Sequence, residues 1–321
     1  MTDFYGLPTG RLSNDHLELE YLADVGPRLV RLKLKAARPP ANILAETPDI
    51  SWSTPYGEYY LRGGHRLWRA PEAAGLSTMP EARGLEVIEL ADSVRLCQPV
   101  ELITGLRKTL EVYMAADRPA LTLSHVLTNE GVQALELAPW AITQLALGGV
   151  AILPQPSSIA DPLGLQPNRS LVLWPYTCMA DKRLELHDDL WLVHGRSQLL
   201  PCKIGYLNRQ GWAGYLWNQT FLIKRFGRVL DRPYPDWGCN VEVYCKDVCL
   251  ELETLAPLSR LEPGQSATHV EQWEFFVGVD VPPTCEGMLS LVKRLPPQWL
   301  APLTDDELSH ASQGWKQGTK Y

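Results

Sequence analysis

Short runs of alternating apolar and polar residues fill most of the chain, and they predict strands. Leu17, Leu19 and Tyr21 alternate with Glu18 and Glu20, and residues 29–34 alternate again after a Gly26-Pro27 turn. Similar runs follow at 85–90, 94–97, 106–113 and 120–129, punctuated by Asp92, Gly105 and Asp117-Arg118-Pro119. Others fall at 135–145, 171–174, 191–194, 203–206, 212–217 and 220–226. Many short strands at near-regular spacing, without helices between them, predict an all-β, mostly antiparallel sandwich. Helical spacing is confined to the end of the chain. It covers residues 286–295 before Pro296-Pro297, and Thr304 with Glu307 then forms a capping box that opens a short last helix. Residues 313–321 are polar and are expected to fray.

The most informative alternation lies at residues 240–253. Val241, Val243 and Cys245 alternate with Asn240, Glu242 and Tyr244; Val248, Leu250 and Leu252 alternate with Cys249, Glu251 and Glu253. A two-residue turn at Lys246-Asp247 would set Val243 against Leu250 and Glu242 against Glu251, with Asn240 against Glu253. One face is then apolar and the other carries three acids. Like charges opposite one another destabilise a sheet, so such a face calls for basic or hydroxyl partners in a polar cleft. A solvated outer sheet face is the alternative reading.

Composition narrows the partners. The formal net charge of −7 argues against nucleic acid and anionic membranes, which need a basic surface, and fits a small neutral ligand. Eleven tryptophans against five phenylalanines supply flat faces with an N–H donor, suited to sugar rings and to cores alike. No leader pattern and no membrane-length apolar run is visible, and seven cysteines form no regular framework, so a cytoplasmic protein with free thiols is expected. Cys245 and Cys249 lack a second ligand pair, and no dinucleotide or phosphate-loop motif occurs, so neither metal nor cofactor is expected.

Several stretches carry a resemblance. Leu252-Glu253-Thr254, Pro257, Leu261-Glu262-Pro263-Gly264 and His269 resemble the C-terminal signature of aldose 1-epimerases, members of the galactose mutarotase-like superfamily. Gly63-Gly64-His65-Arg66-Leu67-Trp68, residues 137–144 and residues 234–244 are similar to a bacterial branch of it. The resemblance spans roughly residues 15–280. It implies one large β-sandwich domain over 1–321, with a helical tail at 285–321, binding sugars on a concave face. It also implies that Glu253 is the catalytic base. At the position of the family's acid histidine this chain has Trp140, which cannot exchange a proton at neutral pH, so ordinary aldose mutarotation is expected to be weak or absent.

The candidate site follows. Glu253 is the expected base, and His65 or Lys203 the acid or charge stabiliser. Arg66, Trp68 and Glu72 follow the glycine pair, which would allow close ligand approach. Trp140 and Gln144 come from the 135–145 run, and Tyr234 and Asp236 from a proline-stiffened loop that also holds Trp237. Asn240, Glu242 and Glu251 complete the acidic face. Glu253, Asn240 and His65 are expected to line one cleft. Lys224 and Arg225 are read either as partners of that face or as surface cations. The ligand implied is a small carbohydrate, bound by a monomer or homodimer, with or without catalysis.

Overall fold

The computed structural model describes residues 2–38, 40–156, 161, 163–309 and 311. The tail at 313–321 and part of the loop at 155–168 lie outside them. Among the described residues the chain forms two large antiparallel sheets. The first has eleven strands, in the spatial order Thr2–Phe4, Leu7–Ser13, Leu17–Leu22, Arg28–Leu34, His65–Ala70, Leu135–Leu145, Leu250–Leu255, Val241–Cys245, Cys202–Tyr206 and Val172–Leu173; Ser259–Leu261 pairs with the start of Leu135–Leu145. The second has ten, in the order Leu184–Leu186, Leu190–His194, Val150–Pro154, Trp212–Trp217, Thr220–Phe226, Ser266–Val277, Ala120–Asn129, Leu106–Met114, Ser93–Cys97 and Glu86–Glu89. A separate hairpin, Glu46–Thr54 with Gly57–Gly63, lies beside the first. The fold is the all-β sandwich that the alternation predicts.

Period-two alternation decides what lies between the sheets. Leu19, Leu32, Val243 and Leu252 of the first sheet meet Leu110, Val112, Leu123 and Trp273 of the second in one buried cluster. The helix Cys285–Arg294 covers the outer side of the second sheet, setting Met288 and Leu291 against Ile152, Leu192, Phe221 and Ile223. Thr284 caps it, its hydroxyl accepting the Gly287 N–H at 3.2 Å. The expected capping box is also present: Thr304 N donates to Glu307 Oε2 at 2.8 Å, and Glu307 N to Thr304 Oγ1 at 3.3 Å. No helix among the described residues is long and apolar enough to cross a membrane.

The hairpin at the heart of the first sheet differs from the expected register by two residues. Val243 faces Leu252, Glu242 faces Glu253 and Tyr244 faces Glu251. The connection is the four-residue Lys246–Cys249 loop, in which Lys246 N donates to Cys249 O at 3.3 Å. Lys-Asp lacks the glycine that a two-residue turn with positive φ demands. A shift of two leaves every side chain on its predicted face, so the acids stay together. Val248 falls outside the strand.

Candidate functional site on the outer face of the larger sheet

Neighbouring strands of the first sheet place their side chains in rows. Trp68, Trp140 and Leu255 form one row; Arg66, Ile142, Glu253, Glu242 and Gly205 the next; and Gln144, Glu251, Tyr244 and Lys203 a third. All of them project from the face turned away from the second sheet. Most are buried. Lys203 is the charge centre: its Nζ lies 2.7 Å from Glu242 Oε2 and 3.1 Å from Glu253 Oε2. The same ammonium sits 4.5 Å over the rings of Trp140 and Trp174. Trp140 Nε1 donates to Glu253 Oε2 at 2.8 Å. Arg66 pairs with Glu251 at 3.1 Å and stacks on Trp68 at 4.5 Å.

Burial decides the electrostatics here. It pushes the Glu242 carboxyl well above the usual carboxylate range, opposed by Lys203 and reinforced by the charges of Glu253 and Asp236. It raises Glu253 too, with Lys203 again opposing. On Lys203 burial works the other way, but Glu253 and Glu242 together outweigh it and hold the ammonium charged. Burial likewise works against the Arg66 charge, and Glu251 more than offsets it.

Four of these buried side chains have unused hydrogen-bonding capacity. Among the described residues, Arg66 Nε and Nη1, Gln144 Oε1, Glu242 Oε1 and Glu253 Oε1 have no hydrogen-bond partner, and Glu242 Oε2 has only its ion pair with Lys203. Buried polar atoms normally find one. Trp174 and Cys239 close over Glu242, and Gly205 makes that possible: a Cβ there would meet Cys239 Sγ at 2.7 Å and both Glu242 and Trp174 at 3.2 Å. Tyr176, 44% exposed, marks the way out; its hydroxyl feels Lys203, Glu253, Glu72 and Glu251 together. Trp174 and Tyr176 were not among the residues singled out from the sequence. An aromatic pair stiffened by Pro175 was the available signal, as in Tyr234-Pro235-Asp236-Trp237.

The structure therefore brings together Arg66, Trp68, Trp140, Gln144, Lys203, Glu242, Glu251 and Glu253, with exposed Glu72 and half-buried Asp236 at the edge. Trp68 and Trp140 are not open platforms. They pack edge to face under Tyr59, whose hydroxyl accepts the Trp68 N–H at 3.1 Å. Trp237 is the exposed ring, at 93%, held by left-handed backbone at Asp236 and Trp237. Tyr234 and Asn240 turn to the protein instead. Tyr234 Oη accepts the Val229 N–H at 3.0 Å, while Asn240 exchanges hydrogen bonds with the Asn208 backbone at 2.6 and 2.9 Å.

His65 does not share this face. It is next to Arg66 in one strand, so its side chain leaves the opposite face, into the layer between the sheets. There His65 Nε2 meets His125 Nε2 at 2.7 Å and its Nδ1 meets Thr143 Oγ1 at 2.8 Å. Gly63 and Gly64 serve backbone packing rather than a ligand. With φ of 89° and 74°, a Cβ on either would fall 2.0 Å from Ala45 O or 1.9 Å from Leu29 O.

The inner layer continues with Lys224 Nζ 2.7 Å from Glu271 Oε1, Trp273 Nε1 donating to Glu271 Oε2 at 2.8 Å, and Thr254 Oγ1 2.6 Å from His269 Nε2. Ligand atoms of His65, His125 and Glu271 lie within 4.8 Å of one another, but the Lys224 ammonium already takes up the Glu271 charge. Burial keeps His65, His125 and His269 neutral, the last lowered to about 3. Arg225, next to Lys224, turns outward but is not a surface cation. The 301–307 segment covers it, and it pairs with Glu307 at 3.0 Å.

No protein-family model and no curated protein matches the chain. Solved structures do. A putative aldose 1-epimerase from Escherichia coli K12 matches with a TM-score of 0.52 at 15% identity, over 85% of this chain and 100% of that one. A galactose mutarotase-like protein from Lactobacillus casei matches with 0.51 at 10% identity, over 84% and 100%. A TPR-domain containing protein from Parabacteroides distasonis matches with 0.58 at 14% identity, over 90% of this chain and 51% of that one, so this chain spans about half its length. Two antiparallel sheets packed face to face, in an arrangement shared along the full length of an aldose 1-epimerase-like and a mutarotase-like chain, make this the galactose mutarotase-like fold.

Proposed function

We propose that the protein binds a sugar or sugar derivative on the outer face of the larger sheet and moves protons on it, with Glu253 as base. The observation that carries this reading is the unsatisfied capacity of Arg66, Gln144, Glu242 and Glu253 on one face beside aromatic rings. Sugars present hydroxyls that both donate and accept, around a ring with apolar C–H faces. Guanidinium, amide and carboxylate groups beside indoles match that chemistry. Lys203 and Trp140 hold Glu253 Oε2 and leave Oε1 for a substrate proton. Glu253 has no exposed surface, so either reading, catalysis or binding alone, requires the side chains that cover it to move when a ligand binds.

A thermal-shift screen of monosaccharides, uronic acids and sugar phosphates tests the ligand class, because a ligand that binds only the folded state at about 100 times its Kd adds about 2.7 kcal/mol. Glu253→Gln separates the two readings. As a base, Glu253 contributes roughly 10²–10⁴-fold to turnover, with affinity changed little by the substitution. In a pure binder the same change weakens affinity, because a charged acceptor is replaced by a neutral one. A variant unchanged in both removes Glu253 from the site.

A further inference from the structure

Glu242 and Glu253 are direct cross-strand partners, so their side chains leave the sheet on the same side, and neither has exposed surface. Every donor that reaches the pair falls on an Oε2 atom. Lys203 Nζ touches Oε2 of both, and Trp140 Nε1 touches that of Glu253. Among the described residues no donor reaches either Oε1. The pair and Lys203 together, fully ionised, would leave one buried negative charge uncompensated, and such a charge is costly.

Among the described residues nothing nearby cancels it. Glu251 and Asp236 add negative charge from the same strand and from the 234–238 loop, and Arg66 is committed to Glu251. Cys239 and Tyr176 face the pair as neutral groups, both held protonated by burial. Lys224 lies behind the sheet, bound to Glu271. One proton between the carboxyls removes the excess charge and gives an orphaned oxygen its donor.

We propose that Glu242 and Glu253 hold a single proton at neutral pH, resident on Glu242, so that Glu242 is the proton donor of the site and Glu253 its base. Cross-strand pairing brings both carboxyls onto one ammonium, and the stronger upward push that burial and Asp236 give Glu242 sets the order. Trp140 then orients Glu253 and needs no proton of its own to give.

The substrate class rests on the sugar reading above: a cyclic hemiacetal, whose ring oxygen and anomeric hydroxyl share one carbon and so suit two adjacent carboxyls. Glu253 takes the proton of the anomeric hydroxyl as the C=O bond forms. The ring C–O bond breaks, and its oxygen takes the Glu242 proton. The pair still holds one proton, now on Glu253, and closure on either face of the aldehyde returns it. No further reactant is needed.

Infrared difference spectra of the full chain at pH 7, wild type against Glu242→Gln and Glu253→Gln, test the proton. The wild-type-minus-variant difference should show one protonated-carboxyl band against each variant, because either remaining glutamate alone is balanced by Lys203, while the raised Glu274 carboxyl is common to all three proteins and cancels. No protonated-carboxyl band in either difference spectrum overturns the proposal. Either variant suffices for this arm if the other fails to fold. Polarimetry on fresh aldoses tests the donor: Glu242→Gln should lower kcat roughly 10²–10⁴-fold with KM nearly unchanged, and full activity in that variant overturns it. A wild-type band with no turnover on any aldose would uphold the shared proton and defeat the sugar reading instead.

Discussion

Replacing Lys203 with methionine removes the one cation that two buried carboxyls share. At an effective dielectric of about 20, contacts of 2.7 and 3.1 Å are worth roughly 5–6 kcal/mol each before desolvation is subtracted. Most of that is lost again in taking the ions out of water, but the cost of deleting one partner is not symmetric. It strands the others, and the usual loss is about 3–5 kcal/mol. Methionine keeps much of the packing against Trp140 and Trp174, so the change in unfolding free energy reports mainly charge. It should depend on pH. The folded-state pKa values of Glu242 and Glu253 lie above their unfolded values, so these groups favour the fold at low pH, and that contribution is lost as pH rises through the folded values. Without Lys203 both rise further. Urea unfolding should therefore show a loss of about 3–5 kcal/mol at pH 8 and a clearly smaller one at pH 5. A loss under about 1 kcal/mol at pH 8, the size of a solvent-screened pair, would refute the buried-triad account. So would equal losses at the two pH values.

Gly205→Ala should press on Glu242, Cys239 and Trp174 at once, costing about 1–3 kcal/mol by overpacking and weakening ligand binding; an unchanged urea midpoint with unchanged affinity would show that Trp174 does not close on this glycine. In the inner layer, His269 is lowered to about 3, so its contribution to stability is complete above pH 6.5 and declines as pH falls from there towards 3. Between pH 7.5 and 5 that amounts to roughly 2 kcal/mol, and His269→Gln should flatten the pH dependence of unfolding by about that much; an unaltered slope would mean the imidazole is already charged when folded.

What could be read from the sequence follows the period of a strand. The acids of the central hairpin were placed on the right face although the turn was misplaced, because a slip of two residues preserves sidedness. Trp140 and Gln144, four apart in one strand, share a face by the same period. The same rule argues against joining His65 to Arg66, since adjacent strand residues point to opposite sides, and it separates Lys224 from Arg225 in the same way. What no local pattern contains is the long return that brings Trp174 over Lys203, or the pairing of Lys224 with Glu271 across the sandwich. Those contacts depend on sheet order, and sheet order is set by packing far along the chain.

Two buried polar clusters lie back to back on opposite faces of one sheet, and their stoichiometry tells them apart. In the inner one a single cation, Lys224, meets a single carboxylate, Glu271, which also accepts from Trp273 and lies beside neutral histidines. Donors match acceptors there and burial still lowers the Lys224 pKa, as expected of a group held for structure. In the outer one two cations, Lys203 and Arg66, meet three carboxyls, Glu242, Glu253 and Glu251; the Lys203 pKa is raised, and carboxyl oxygens and guanidinium nitrogens are left without partners among the described residues. A cluster whose hydrogen bonds folding leaves several short, and whose charge balances only with a shared proton, suits a ligand that exchanges both. That imbalance, rather than the tally of polar residues, is what supports the proposed site at Glu242 and Glu253 over the three histidines behind them.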